Sequence, residues 1–329
     1  MHDTADLIAK TYALGAGPWT IRSVTRGALG QIWKLSGNGS SWAVKELLFG
    51  CDEEQVEREA ALRQAAESLG IVSPRLIPNR QGAHVSRLGP SSDGSDGSFV
   101  KLYDWIDGTK ADASDPEILD WFGGAMALLH TAGEGASEPP DAWYEQCPQD
   151  ADWKKLHEEV QRAGLPWSDE LGRFIATSAA ELARWVTPAD PGDLVTSHLD
   201  LQPQNVLVRK DGPVLLDWDN AGSTSAEREL ARALYVWSGG SDADTGSARR
   251  LMRAFRGAGG GAVIKGPESF AMLFATDLNY IRVQAECAVD PAVTPAQREF
   301  GSSQVVACLR RLPDLAAISR LTAAVQDVG

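Results

Sequence analysis

Short apolar runs separated by polar turns dominate the first third of the chain. Residues 21–25, 31–35 and 42–47 predict three strands, with the cluster Ser36-Gly37-Asn38-Gly39-Ser40 as the turn between the last two. From about Glu53 to Leu69 the period lengthens, and Val56, Ala60, Leu62, Ala66 and Leu69 predict the apolar face of a helix. Ser73-Pro74-Arg75-Leu76-Ile77-Pro78 is an extended breaker. The Ser/Asp/Gly run over 90–98 reads as a hairpin loop, because 99–103 resumes as a strand. Beyond Gly108 the pattern is mostly helical, over 116–130, 151–163, 169–186, 226–237, 247–255, 267–288 and 295–311. Inside that helical part, 193–197 predicts a short strand, and 206–209 and 213–216 predict two more, joined by a turn at Asp211-Gly212. No internal repeat is present. The outline is an α+β chain: a strand-rich N-terminal part over 1–103 with one helix inside it, and a larger, mainly helical part over 104–329.

Length and charge narrow the classes. The 329 residues suffice for two lobes with real cores. A formal net charge of -14 argues against a nucleic-acid partner, since phosphate backbones need a basic footprint. The same charge suits a cationic substrate, and it equally suits a plain soluble protein. Cys51, Cys147, Cys287 and Cys308 are far apart, form no C-x-x-C and give no metal site. No apolar run approaches a membrane span, and Asp3 and Asp6 stand where a signal peptide is basic. The expected location is the cytoplasm, with no membrane partner.

The chemistry concentrates in His198-Leu199-Asp200-Leu201-Gln202-Pro203-Gln204-Asn205, followed twelve residues after Asn205 by Asp217. This is the H-x-D-x-x-x-x-N…D spacing of a kinase catalytic loop. Phosphoryl transfer needs a carboxylate to orient a hydroxyl nucleophile, and an amide oxygen with a second carboxylate to hold magnesium on nucleotide phosphates. Asp200, Asn205 and Asp217 are those residue types in that order, and the predicted hairpin would return Asp217 to Asn205. The alternative is a polar loop before a hairpin with Asp217 as a turn residue. His198 is expected to brace the loop by hydrogen bonds; in-line transfer needs no separate nucleophile, and the sharper reading is a catalytic histidine.

Several further segments point the same way. They are Ala43-Val44-Lys45, Leu102-Tyr103-Asp104-Trp105-Ile106-Asp107-Gly108, Leu128-Leu129-His130, Leu216-Asp217-Trp218-Asp219 and Glu227-Arg228-Glu229-Leu230-Ala231. With the catalytic loop, they make the chain resemble the aminoglycoside phosphotransferase and choline kinase-like superfamily over nearly its whole length. Those are small-molecule kinases with the bilobal protein-kinase-like fold. One departure is Leu199, where the family usually has Gly or Arg.

The resemblance implies ATP and Mg²⁺ as cofactors, with 1–103 as the nucleotide-binding lobe and 104–329 as the catalytic and acceptor-binding lobe. Asp200 is then the base, and Asn205 and Asp217 hold the metal. Gly27 and Gly30 would let backbone approach phosphates, and Lys45 would bind the α and β phosphates while paired with a helix glutamate. Glu57 and Glu59 compete for that pairing, and the register favours Glu59. The backbone of the hinge, at Asp104 and Ile106, would bind the base; such recognition leaves ATP and GTP both open.

Asp217 is followed within about ten residues by the Glu227 helix, too few for a peptide-docking segment, which favours a small acceptor. Acids crowd the helical insert and continue to Asp219 and Glu227, the candidate acceptor-binding residues. A carboxylate-lined cleft suits an aminoglycoside or a basic cyclic peptide, with an ordinary acidic surface as the alternative. Trp121, Trp143, Trp153 and Trp167 either stack on a ligand or are core. Three functions stay open: an antibiotic kinase conferring resistance, a metabolic kinase of the choline, homoserine or sugar type, and a catalytically silent nucleotide-binding module.

Overall fold

The computed structural model describes residues 2–27, 30–48, 50–89 and 97–328. Two compact units emerge, each assembled from two stretches of chain: Met1–Ala111 with Gln204–Ala221, and Asp112–Pro203 with Gly222–Gly329. A single division at 103/104 does not express this interleaving.

The first unit opens with α1 (His2–Thr11), which the strand-rich reading of this region did not include. Strands β1 (Thr20–Arg26), β2 (Gly30–Gly37) and β3 (Ser40–Leu47) follow, then α2 (Glu53–Ser68). Short β4 (Leu76–Ile77) and β5 (Ser86–Arg87) precede β6 (Phe99–Asp104) and β7 (Thr109–Lys110). The antiparallel sheet runs β1-β2-β3-β6-β4, with β5 also on β6. Side chains alternate across it. Leu35, Val44, Val100 and Leu102 form a core with Ala5, Ile8 and Ala9 of α1 and with Tyr12 just past its end, and the i, i+3, i+4, i+7 spacing of these four makes one apolar stripe. The Tyr12 hydroxyl donates to the Val100 carbonyl at 2.9 Å. Lys45 and Lys101 sit directly opposite each other on β3 and β6, out of step with Val44 and Val100 and so on the other face. The buried residues of α2 are Val56, Glu59, Leu62, Arg63 and Ala66, so two charged residues share the stripe expected to be apolar, while Leu69 is exposed. Most of the 90–98 loop, and Ala28 and Leu29 of the glycine segment, lie outside the described residues.

The second unit begins with α3 (Pro116–Ala132), short α4 (Ala142–Glu145) and α5 (Asp150–Arg162). The helix expected over 169–186 is instead α6 (Ser168–Phe174), a π-helical turn over Ile175–Ala179 and α7 (Ala180–Ala183). Then comes β8 (Leu194–Ser197). Strands β9 (Val206–Arg209) and β10 (Gly212–Leu215) belong to the first unit, where β9 pairs with β10 and β7. The second unit resumes with β11 (Gly222–Ser225), antiparallel to β8, and α8 (Ala226–Trp237). It continues through α9 (Thr245–Gly257), α10 (Ala271–Val289, entered by a 3-10 turn), α11 (Pro295–Leu309) and α12 (Leu315–Gln326). A Cβ on Gly133 would stand 1.7 Å from the Thr196 carbonyl oxygen, so glycine lets the end of α3 reach β8. Trp153 packs edge-on to Phe174 and Trp167 donates to Ser302, both in the core. Among the described residues no helix is long and apolar enough to cross a membrane.

Candidate active site

In the first unit the β9–β10 hairpin closes as expected: the Leu216 amide donates to the Asn205 carbonyl at 2.8 Å. Asn205 and Asp217 are thereby neighbours across the hairpin. Asp217 has φ 60° and ψ 63°, a left-handed conformation that Asp tolerates better than most residues. Its Oδ1 lies 2.5 Å from Lys45 Nζ. Asp219 Oδ2 lies 2.5 Å from the same ammonium. Burial pushes the Lys45 ammonium toward neutrality, but the Asp219 and Asp217 carboxylates outweigh it and raise its pKa above the usual lysine value.

The expected Lys45–Glu59 pair is not formed. Glu59 Oε2 is 2.5 Å from Lys101 Nζ, and its Oε1 accepts from Tyr103 at 2.9 Å and Arg63 at 3.3 Å. Glu57 faces His84. The reason is the strand register: Lys101 stands opposite Lys45 and takes the glutamate from α2. Asp219, expected at the acceptor, lies in the same cluster. Its two carboxylate oxygens are taken by Lys45 and Lys101, and although burial pushes the carboxyl up, the two lysines hold it well below the usual carboxylate range.

Gly27 donates its amide to the Gly30 carbonyl at 2.8 Å. A Cβ at Gly30 would lie 3.0 Å from Lys45 Cε, so this glycine gives the lysine stem its space. The Asp104 carboxylate pairs with Arg75 at 3.3 Å and its amide donates to the Arg75 carbonyl. Among the described residues no hydrogen bond engages the backbone of Ile106.

In the second unit the Asp200 loop is held from three sides. Buried His198 accepts the Asp200 amide on Nδ1 at 3.2 Å, the bracing role expected of it. Leu199 is buried at φ 63°, a conformation that costs a branched side chain about 1–2 kcal/mol. Glu229 of α8 accepts its amide at 2.9 Å, and Arg232 donates to its carbonyl at 2.9 Å. His130 closes the set at 2.9 Å from Glu229. Burial pushes the Glu229 carboxyl up, but hydrogen bonding from His130 and the Leu199 amide keeps it below the usual range. Asp200 Oδ1 accepts from Gln202 at 2.5 Å and lies 3.5 Å from Arg232 Nη2. Glu227, the other expected acceptor ligand, is instead tied to Lys265 and Ser269, each at 2.5 Å.

Asp277 of α10 carried no signal in the sequence. Its carboxylate has no hydrogen-bond or ion-pair partner among the described residues. Burial raises it to about 6 despite the charges of Arg232 and Arg311. Burial also raises the Tyr280 hydroxyl to about 12, an effect to which Cys308 and the Asp200 carboxylate add.

A nucleotide-bound magnesium takes one or two carboxylates and keeps phosphate and water as its other ligands. Among the described residues no group of three or more His, Cys, Asp or Glu could hold a metal alone. The Asn205 amide and Asp217 carboxylate fit the first pattern as an oxygen-only pair.

The antiparallel sheet with its buried lysine, the helical unit and the H-x-D-x-x-x-x-N…D residues define a small-molecule kinase. The chain belongs to the APH phosphotransferase enzyme family, whose sequence model matches residues 20–266. Among curated proteins none matches by sequence. Solved structures share the fold at low identity. Spectinomycin phosphotransferase APH(9)-Ia with ADP and spectinomycin is 15% identical, covers 98% of both chains and has a TM-score of 0.63. A microcompartment-associated aminopropanol kinase is 12% identical, covering 99% of this chain and 100% of its own, at 0.61. Amicoumacin kinase hAmiN, with AMP-PNP and Ca²⁺, is 12% identical, covering 89% of each chain, at 0.54.

Proposed function

We propose that the protein transfers the γ-phosphoryl group of ATP to a hydroxyl of a small cationic antibiotic, an aminoglycoside or a basic cyclic peptide, and so confers resistance. Asp200 is the base in this reading. Its carboxylate, fixed by Gln202 and Arg232 through Oδ1, orients the acceptor hydroxyl and takes its proton late in a loose transition state. Lys45 binds the α and β phosphates, and Asn205 and Asp217 hold magnesium. The ion, when bound, supplies neutralisation of the phosphate oxygens.

The observation that carries the acceptor class is Asp277, whose carboxyl feels the charge of Arg232, the arginine that also reaches Asp200. An unpartnered carboxylate kept partly from water is costly unless a ligand cation meets it. The fold shared with a spectinomycin phosphotransferase and an amicoumacin kinase supports the same reading. The likeness to an aminopropanol kinase favours the metabolic reading instead, with a small amino alcohol as acceptor. A turnover panel of aminoglycosides, basic cyclic peptides, amino alcohols, choline, homoserine and sugars, with mass spectrometry of products, tests both. A best substrate that is neutral or anionic sinks the cationic acceptor; a small amino alcohol moves the assignment to metabolism.

A further inference from the structure

Lys101 stands out among the buried charges that the reaction does not use. It is 2% exposed, too enclosed to touch a ligand, yet it is the hub of a network reaching Lys45. The two lysines face each other across β3 and β6, a placement that repels unless a carboxylate bridges it. Asp219 is that bridge, with one oxygen on each lysine. Glu59 holds Lys101 from behind, itself fixed by Tyr103 and Arg63. The backbone of the bridge is anchored to the same helix: Gln55 Nε2 donates to the Asp219 carbonyl at 2.8 Å and the Ala221 carbonyl at 2.7 Å. Three cations, Lys45, Lys101 and Arg63, meet three carboxylates, Asp217, Asp219 and Glu59, so the network is neutral as a whole.

We propose that Lys101 is a positioning residue for the nucleotide: α2 orients Lys45 through the relay Glu59–Lys101–Asp219 in place of a direct glutamate contact. Lys45 touches two carboxylates, only one of which, Asp219, is held by the relay. Phosphates can therefore displace Asp217 from the ammonium while Asp219 keeps it aimed. The inference rests on the reading that Lys45 binds phosphates.

Calorimetric titration of the full chain with metal-free ADP tests it. Lys101→Met and Glu59→Gln should each weaken ADP on the order of tenfold, the scale of coupling within one charged network. In the Lys101→Met background, Glu59→Gln should add nothing, and Lys101→Arg should restore most of the affinity. Equal effects of Glu59→Gln in both backgrounds would mean a direct Glu59–Lys45 contact and would overturn the relay, as would unchanged ADP affinity in Lys101→Met. If Lys101→Met fails to fold, the double variant Glu59→Gln/Lys101→Met, which removes one charge of each sign, is compared with Glu59→Gln alone, and equal ADP affinities are required. Lys45→Ala is the control for the reading beneath. If it leaves ADP binding intact, the phosphate role falls, and the relay is judged on the free protein. There the ¹³Cε resonance of Lys45 should move in Lys101→Met, and an unmoved resonance overturns it.

Discussion

In the proposed reading Asp277 trades stability for acceptor binding, and pH separates the two. Its carboxyl rises from the ordinary 3.8 to about 6 because burial outweighs the attraction of Arg232 and Arg311. A carboxyl whose folded pKa is raised binds more protons folded than unfolded between those values, so stability falls as pH rises through that window. Below about 3.8 both states are protonated and the cost is absent; above about 6 it is complete. At 1.36 kcal/mol per pKa unit the full cost is at most about 3 kcal/mol, and partial exposure reduces it to about 1–2 kcal/mol. Asp277→Asn keeps the shape and removes the charge. It should raise Tm at pH 7.5 by roughly 2–8 °C, using about 2–4 °C per kcal/mol. The gain should shrink to about half at pH 5. The same substitution should raise KM for a cationic acceptor and leave KM for ATP unchanged. Thermal melts across pH with steady-state kinetics check both. A Tm gain that ignores pH, or a loss of stability at pH 7.5, would refute the account of Asp277 as a carboxylate held at a cost.

Asp200→Asn should keep the fold and nucleotide affinity but lose on the order of 10²-fold or more in turnover, read by steady-state kinetics; wild-type turnover removes Asp200 from the base role. Asp217→Ala should weaken Mg-ATP more than metal-free nucleotide in calorimetry, and equal losses would make it a turn residue. Acceptor KM should climb steeply with salt while that of ATP changes less, since exposed attraction is screened over about 8 Å at physiological ionic strength; a flat acceptor response defeats the cationic acceptor. Leu199→Gly should relieve about 1–2 kcal/mol of backbone strain but lose more through the buried side chain, giving a lower denaturation midpoint; a higher midpoint would mean the strain dominates.

What was legible in the sequence was local. The β9–β10 hairpin followed from two apolar runs around Asp211-Gly212, and with it the meeting of Asn205 and Asp217. Helix α2 was legible from its period, but its partners were not. Which carboxylate meets Lys45 depends on Lys101 lying opposite it, and register between strands 56 residues apart leaves no local trace. Asp277 was invisible for a related reason: an acid in mid-helix reads as a solvated position until the packing of α10 is known. Along α1 and just past its end, by contrast, the stripe of Ala5, Ile8, Ala9 and Tyr12 was present and simply short. The division of 169–186 by a π-helical turn has no marker such as Pro or a paired Gly.

The departure at Leu199 explains why the Asp200 loop carries so much support. Glycine would adopt φ 63° freely; leucine does so only if its surroundings over-determine the backbone. Glu229 takes the amide on one side of the residue and Arg232 the carbonyl on the other, both from α8. The same arginine reaches on to Asp200, and Trp237 of that helix takes the Leu201 carbonyl at 3.0 Å. One helix face therefore fixes three consecutive residues of the loop. The leucine side chain adds buried apolar contact that glycine lacks, worth about 1.5–3 kcal/mol against about 1–2 kcal/mol of strain. The buried contact thus outweighs the strain, and the departure from the family pattern works because α8 supplies both hydrogen-bonding partners of the strained residue.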